Sequence, residues 1–245
     1  MEEISLSKKN VFRVSLFLNV AVVIAVIVIF LNQGGWVYLA NGPSKVSADQ
    51  PKVDPIVEIK QDNFELGDKQ TKEVVFAGDS QTDYFEWGEY FEGITVANRG
   101  ISGDTSGGLL KRIDQVTELN PKRVFLLIGI NDIQQDIPVE TIEKNYKEII
   151  AAIKEANPET QIYVQSVFPV AGDLYENNQY KRSKPINETV AKLNKKLAQL
   201  EGVTFLNVAE QFGNELAEEY SVDGLHLSKE GYEVWLSEIE EYVKD

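Results

Sequence analysis

From Val74 onward the chain alternates short β-branched runs with longer helix-period segments, and no other feature restricts its fold so tightly. The apolar runs are Val74–Ala77, Ile94–Ala97, Val124–Ile128, Ile162–Val167 and Val203–Leu206. Helix-period segments fall at about 105–119, 139–156, 184–200 and 228–243. Leu109, Leu110, Ile113, Val116 and Leu119 make one apolar stripe, and Val190, Leu193, Leu197 and Leu200 make another. Asn120-Pro121 and Asn157-Pro158 end two helices, because a residue before proline is pushed out of the helical region. Ser228 offers a cap to the last one. Strands linked through helices of this length build right-handed βαβ units. The pattern predicts an α/β fold: a three-layer α/β/α sandwich around a parallel five-stranded sheet. Such sheets bind ligands beyond the carboxyl ends of their strands, so the chemistry is expected there.

The chain ahead of this region reads differently. Val14–Leu31 is apolar except for Ser15 and Asn19, and with Val11 and Phe12 it approaches the roughly 20 residues that span a bilayer. Lys8, Lys9 and Arg13 precede it, whereas Lys45 alone follows within about 20 residues. The expected organisation is a cytoplasmic N-terminus at 1–10, a transmembrane signal anchor at 11–31, an extracytoplasmic linker at 32–55 and a folded domain at 56–245. Secretion after signal cleavage is the alternative. Its processing sites fit poorly: Tyr38-Leu39-Ala40 carries a bulky residue where a small one is wanted, and Val46-Ser47-Ala48 begins 15 residues past Leu31. Residues 56–72 hold short apolar pieces that leave their structure open.

Composition narrows the function classes. Lys and Arg number 24 against 39 Asp and Glu, a net charge of −15, which argues against a nucleic-acid partner. There is no cysteine, so disulfides, thiolate metal sites and cysteine nucleophiles are excluded. His226 is the only histidine, and any imidazole chemistry has to use it.

Polar motifs stand at the predicted strand ends. Gly78-Asp79-Ser80-Gln81 follows the first strand and places a hydroxyl at the edge of the sheet. Asn98-Arg99-Gly100-Ile101-Ser102-Gly103-Asp104-Thr105 follows the second, as a loop able to present backbone N–H groups and a capping Asp/Thr pair. Gly129-Ile130-Asn131-Asp132 follows the third, where an asparagine side chain can donate into the same crevice. Asp223-Gly224-Leu225-His226 precedes the last helix. An Asp three residues before a His in a tight turn fixes the imidazole tautomer and frees Nε2 to take a proton.

In this order, over residues 73–245, the motifs resemble those of the GDSL, or SGNH, esterase/lipase hydrolases. The resemblance implies a flavodoxin-like sheet with Ser80 as nucleophile, His226 as base and Asp223 as its orienting carboxylate. It implies an oxyanion hole of the Ser80 and Gly103 backbone N–H groups and the Asn131 side chain, with Gly100 a competing candidate for the glycine. Asp79, Gln81 and Asp132 are expected to contact substrate; Gln81 stands where the family's name-giving leucine is found. The implied activity is hydrolysis of short-chain acyl esters such as acetyl on cell-surface glycans, with no metal or cofactor; lysophospholipase-like activity at the same site is one alternative. Acyl transfer and a non-catalytic surface-binding role are the others.

Overall fold

The computed structural model describes residue 19 and residues 55–67, 69–177 and 182–244. Apart from Asn19 and Pro55, the expected anchor and linker lie outside the described residues. Among the described residues, no helix is long and apolar enough to cross a membrane.

In chain order the elements are α1 (Pro55–Leu66), β1 (Val74–Gly78), α2 (Ser80–Asp83), α3 (Trp87–Tyr90), β2 (Val96–Gly100), α4 (Ser106–Lys111), α5 (Asp114–Thr117), β3 (Arg123–Leu127), α6 (Ile130–Gln134), α7 (Val139–Ala156), β4 (Gln161–Gln165), α8 (Gly172–Asn177), α9 (Ser183–Leu197), β5 (Thr204–Leu206), two 3₁₀ turns (Val208–Phe212 and Glu218–Tyr220) and α10 (Lys229–Lys244). The strands form one parallel sheet in the order β2-β1-β3-β4-β5. Gly78 is level with Gly100 on one side and Leu127 on the other, so three strand ends meet along one edge.

Right-handed crossovers place α2 and α3 on one face and the helices after β2 on the other, because the chain reverses direction across the sheet at that point. Accordingly α4 packs on α7, and α7 on α9. On the opposite face Trp87 lies between Phe76 of β1 (ring centroids 3.8 Å apart) and Trp235 of α10 (5.0 Å). The chain leaves β1 and β3 toward opposite faces, which opens a crevice at their carboxyl ends.

Three elements differ from expectation. The second strand runs Val96–Gly100, so Asn98-Arg99-Gly100 belongs to the sheet and not to a loop. An edge strand tolerates these polar residues because their side chains find local carbonyls: Asn98 Nδ2 donates to Thr82 (3.0 Å) and Arg99 Nε to Gln115 (3.1 Å). The helix expected at 105–119 is two short ones, broken where Arg112 turns its guanidinium inward. Residues 56–66, left open by the sequence, form α1 together with Pro55, which was expected at the end of the linker. The helix is tied to the body by Lys60 Nζ on Asp83 Oδ1 (2.5 Å) and by Arg99 over the Phe64 ring (4.5 Å).

Candidate active site

Asp79 leaves β1 with extended backbone and caps α2, its Oδ1 accepting from the Gln81 N–H at 3.1 Å. Ser80 is thereby the first helical residue. Its backbone N–H has no intrahelical partner, as at any helix start. Its Oγ lies 2.9 Å from His226 Nε2.

His226 sits in a turn closed on itself. The carbonyl of His226 accepts from Val222 N (3.0 Å) and Ser221 Oγ (2.8 Å), and Ser221 Oγ also accepts from Gly224 N (2.8 Å). Asp223 Oδ1 takes two backbone N–H groups, Leu225 at 2.9 Å and His226 at 2.8 Å, while Oδ2 is 2.7 Å from His226 Nδ1. Burial by itself would raise the Asp223 carboxyl, but these donors outweigh it and hold the group below the usual carboxylate range. With Asp223 ionised, Nδ1 keeps its proton and Nε2 is left to accept from Ser80. The turn requires glycine at 224, where φ is +92° and a Cβ would come within 2.3 Å of the Tyr175 backbone.

The loop after β2 turns at Ile101–Asp104 and carries Gly103 at φ +79°. Asn131, the second residue of α6, donates one Nδ2–H to the Asp104 carbonyl at 2.8 Å. That bond holds the loop to β3 and leaves the amide's second hydrogen to donate. Among the described residues no hydrogen bond engages the backbone N–H of Gly103, whereas that of Gly100 is spent on Asn98 Oδ1 at 2.8 Å. Of the two glycines, Gly103 is the one able to serve an oxyanion. Replacing Asn131 by alanine is expected to cost on the order of 10²–10³ in kcat with KM little changed, as steady-state kinetics on an aryl ester would measure.

The three residues expected to contact substrate are placed otherwise. Asp79, Gln81 and Asp132 are all buried, with at most 4% of their surface exposed. Asp132 accepts from Ser106 N (2.8 Å) and Ser106 Oγ (2.5 Å), which fixes the start of α4. The Gln81 amide turns toward the His226 turn and not toward the crevice. Ser80 is buried to the same degree, so it is the hydrogen-bond partners of these side chains, and not their burial, that mark them as scaffold.

Several contacts had no sequence signal. Arg112 and Asp104 form a buried ion pair (2.7 Å) beneath the Gly103 loop, and Arg112 also reaches the carbonyls of Arg99 and Gly78. Thr105, not Asp104, caps α4. Asp83 Oδ2 accepts from Ser102 N at 3.0 Å. Tyr84, about half exposed, lies 5.1 Å from the imidazole ring and shares a 3.0 Å hydrogen bond with Ser102 Oγ. A separate cavity of about 710 Å³, lined by residues such as Asn187, Asn194 and Glu210, includes none of the site residues.

Buried carboxyls behind the nucleophile set the electrostatics. Burial, and then its neighbours Asp104 and Asp132, push the Asp79 carboxyl up to about 7. A carboxyl whose folded pKa is raised contributes stability that is full below about pH 4 and is lost as pH rises through 7. Asp79→Asn keeps the cap acceptor and removes that loss. The variant is expected to melt several degrees higher than the parent at pH 8 and nearly level with it at pH 4, a contrast that calorimetry would measure.

Residues 70–234 match the model of the GDSL-like Lipase/Acylhydrolase family. An arylesterase of Vibrio mimicus is 31% identical over 93 residues, 38% of this chain and 46% of that protein. Platelet-activating factor acetylhydrolase IB subunit alpha1 of Rattus norvegicus is 26% identical over 169 residues, 65% of this chain and 70% of that protein. Of other curated relatives, the chain spans as little as 40% of the length. A solved structure from Streptococcus pneumonia, named for platelet activating factor, superposes with a TM-score of 0.69 at 30% identity, over 77% of this chain and 93% of that one.

Proposed function

Since the chain belongs to the GDSL-like lipase/acylhydrolase family, we propose that it is a carboxylic ester hydrolase whose chemistry Ser80, His226 and Asp223 carry out as an acyl-transfer triad. The observation that carries this reading is the unbroken path from Asp223 Oδ2 through the imidazole to Ser80 Oγ, 2.7 Å and then 2.9 Å.

Ser80 Oγ attacks the ester carbonyl while His226 Nε2 takes its proton. The backbone N–H groups of Ser80 and Gly103 and the second amide hydrogen of Asn131 hold the oxyanion. His226 then gives the proton to the leaving alcohol, and water repeats the sequence on the acyl-enzyme.

The substrate we infer is an acetyl or similarly short ester of a sugar hydroxyl on a cell-surface glycan. A relative named as an acetylhydrolase supports the short acyl group. So does the 168–184 segment, which has no long apolar run to hold a fatty chain. Tyr84 supports the cyclic alcohol: the leaving group has to lie beside His226 to be protonated, and there it meets an exposed aromatic face. Residues 11–31 as an anchor, 32–55 as a linker and 56–245 as an extracytoplasmic domain put such glycans within reach; the basic residues before the apolar run support that orientation.

Covalent labelling by a fluorophosphonate probe, absent in Ser80→Ala, tests the nucleophile. Among C2 to C12 aryl esters, kcat/KM is expected to be highest at C2 and to fall as the chain lengthens. An optimum at C12 would overturn the short-acyl reading and favour a lysolipid substrate.

A further inference from the structure

The structure assigns to Gln81, the residue after the nucleophile, a positioning role: its amide clamps the backbone on both sides of His226 and so sets the distance from base to nucleophile. Gln81 Nε2 donates to the Leu225 carbonyl at 2.5 Å, and the Leu227 N–H donates to Oε1 at 3.4 Å. One side chain thus pairs with the residues flanking His226 much as a neighbouring strand would. Its own carbonyl accepts from Tyr232 OH at 2.8 Å, which fixes its backbone against α10. Gln81 is covalently joined to Ser80, so a single residue holds both ends of the Ser80–His226 hydrogen bond.

The role belongs to this chain's own residue. Leucine, which stands at this position in the family's namesake motif, makes neither bond. The His226 turn has internal hydrogen bonds that fix its shape, but shape alone does not fix its distance from Ser80. Displacing a reacting group by about 1 Å costs up to about 10²-fold in rate. This inference rests on the triad reading above.

Two variants of the full chain test it, with Ser80→Ala run beside them. Gln81→Leu keeps the volume and removes both bonds; kcat is expected to fall about 10- to 100-fold with KM within twofold. Because His226 is the only histidine, its imidazole resonances need no assignment, and the Nδ1–H signal held by Asp223 is expected to broaden or vanish in this variant. In Gln81→Glu the introduced carboxyl, when neutral, still donates to Leu225 and accepts from Leu227; once ionised it has no donor. The pH–rate profile is therefore expected to gain a descending limb on the alkaline side. The titratable groups around it, Asp79, Tyr232 and His226, are shared with the parent, whose profile provides the baseline. Should Gln81→Leu fail to fold, the Gln81→Glu profile decides, and a profile matching the parent's overturns the proposal. It is equally overturned if folded Gln81→Leu keeps parental kcat and an unchanged imidazole spectrum. If Ser80→Ala retains turnover, the triad reading itself fails; if Ser80→Ala is inactive and the Gln81 variants behave like the parent, only this inference fails.

Discussion

Replacing Ser80 with alanine is expected to lower kcat on an aryl acetate by on the order of 10⁴- to 10⁶-fold while leaving the fold intact. The size follows from what is removed: the acyl-enzyme has no other oxygen on which to form, and His226 loses the group it deprotonates. The residue that survives still offers its backbone N–H, and Gly103 and Asn131 are untouched. A remnant of oxyanion-assisted hydrolysis by water is therefore expected, not zero. Among the described residues Ser80 Oγ makes no hydrogen bond beyond the one to His226. Circular dichroism and the melting temperature should match the parent within a few degrees. Turnover within tenfold of the parent would remove Ser80 from the mechanism.

Asp223→Asn is expected to cost about 10⁴ in kcat, although it changes a single atom type. The reason lies in the turn. Asp223 Oδ1 receives two backbone N–H groups, from Leu225 and His226, so an asparagine has to place its carbonyl oxygen there and its NH₂ against the imidazole. Nδ1 then becomes the acceptor and the ring proton moves to Nε2. Ser80 Oγ–H would meet a donor where it needs an acceptor. ¹⁵N spectra of the lone imidazole report the tautomer directly, and kcat reports its consequence. A variant that keeps Nε2 unprotonated and kcat within tenfold of the parent would show that the carboxylate is not what orients the base.

The sequence was most informative where partners are close in the chain or where strand order brings loops together. Helix α7 was legible at both ends, 139–156, because its apolar period is regular and Asn157-Pro158 stops it. The spacing of Asp223 and His226 lies within one turn, so their contact could be foreseen. Strand 2 was misplaced because the partners that make Asn98 and Arg99 acceptable in a sheet lie 13 to 16 residues away. The Gln81 clamp spans 144 residues to Leu225, and the Arg112–Asp104 pair is a burial effect with no periodic signature. Asp79, Gln81 and Asp132 were expected in the crevice because sequence proximity to a nucleophile cannot distinguish the side that faces substrate from the side that faces the core. What was legible was covalent neighbourhood and topology. What was not was which way a side chain points.

Helix α1 lies ahead of the 70–234 stretch that the family shares, yet Lys60 on it holds one oxygen of Asp83 while the other holds the Ser102 N–H, one residue before Gly103. The shared stretch consequently leaves out one of the partners Asp83 has in this protein. A fragment trimmed to it would keep every residue of the reaction and lose the counter-ion of a carboxylate that is almost wholly buried. The same trimming would cut α10 after Val234 and remove the buried Trp235, Ile239 and Val243, so the folded unit extends past the homologous stretch at both ends.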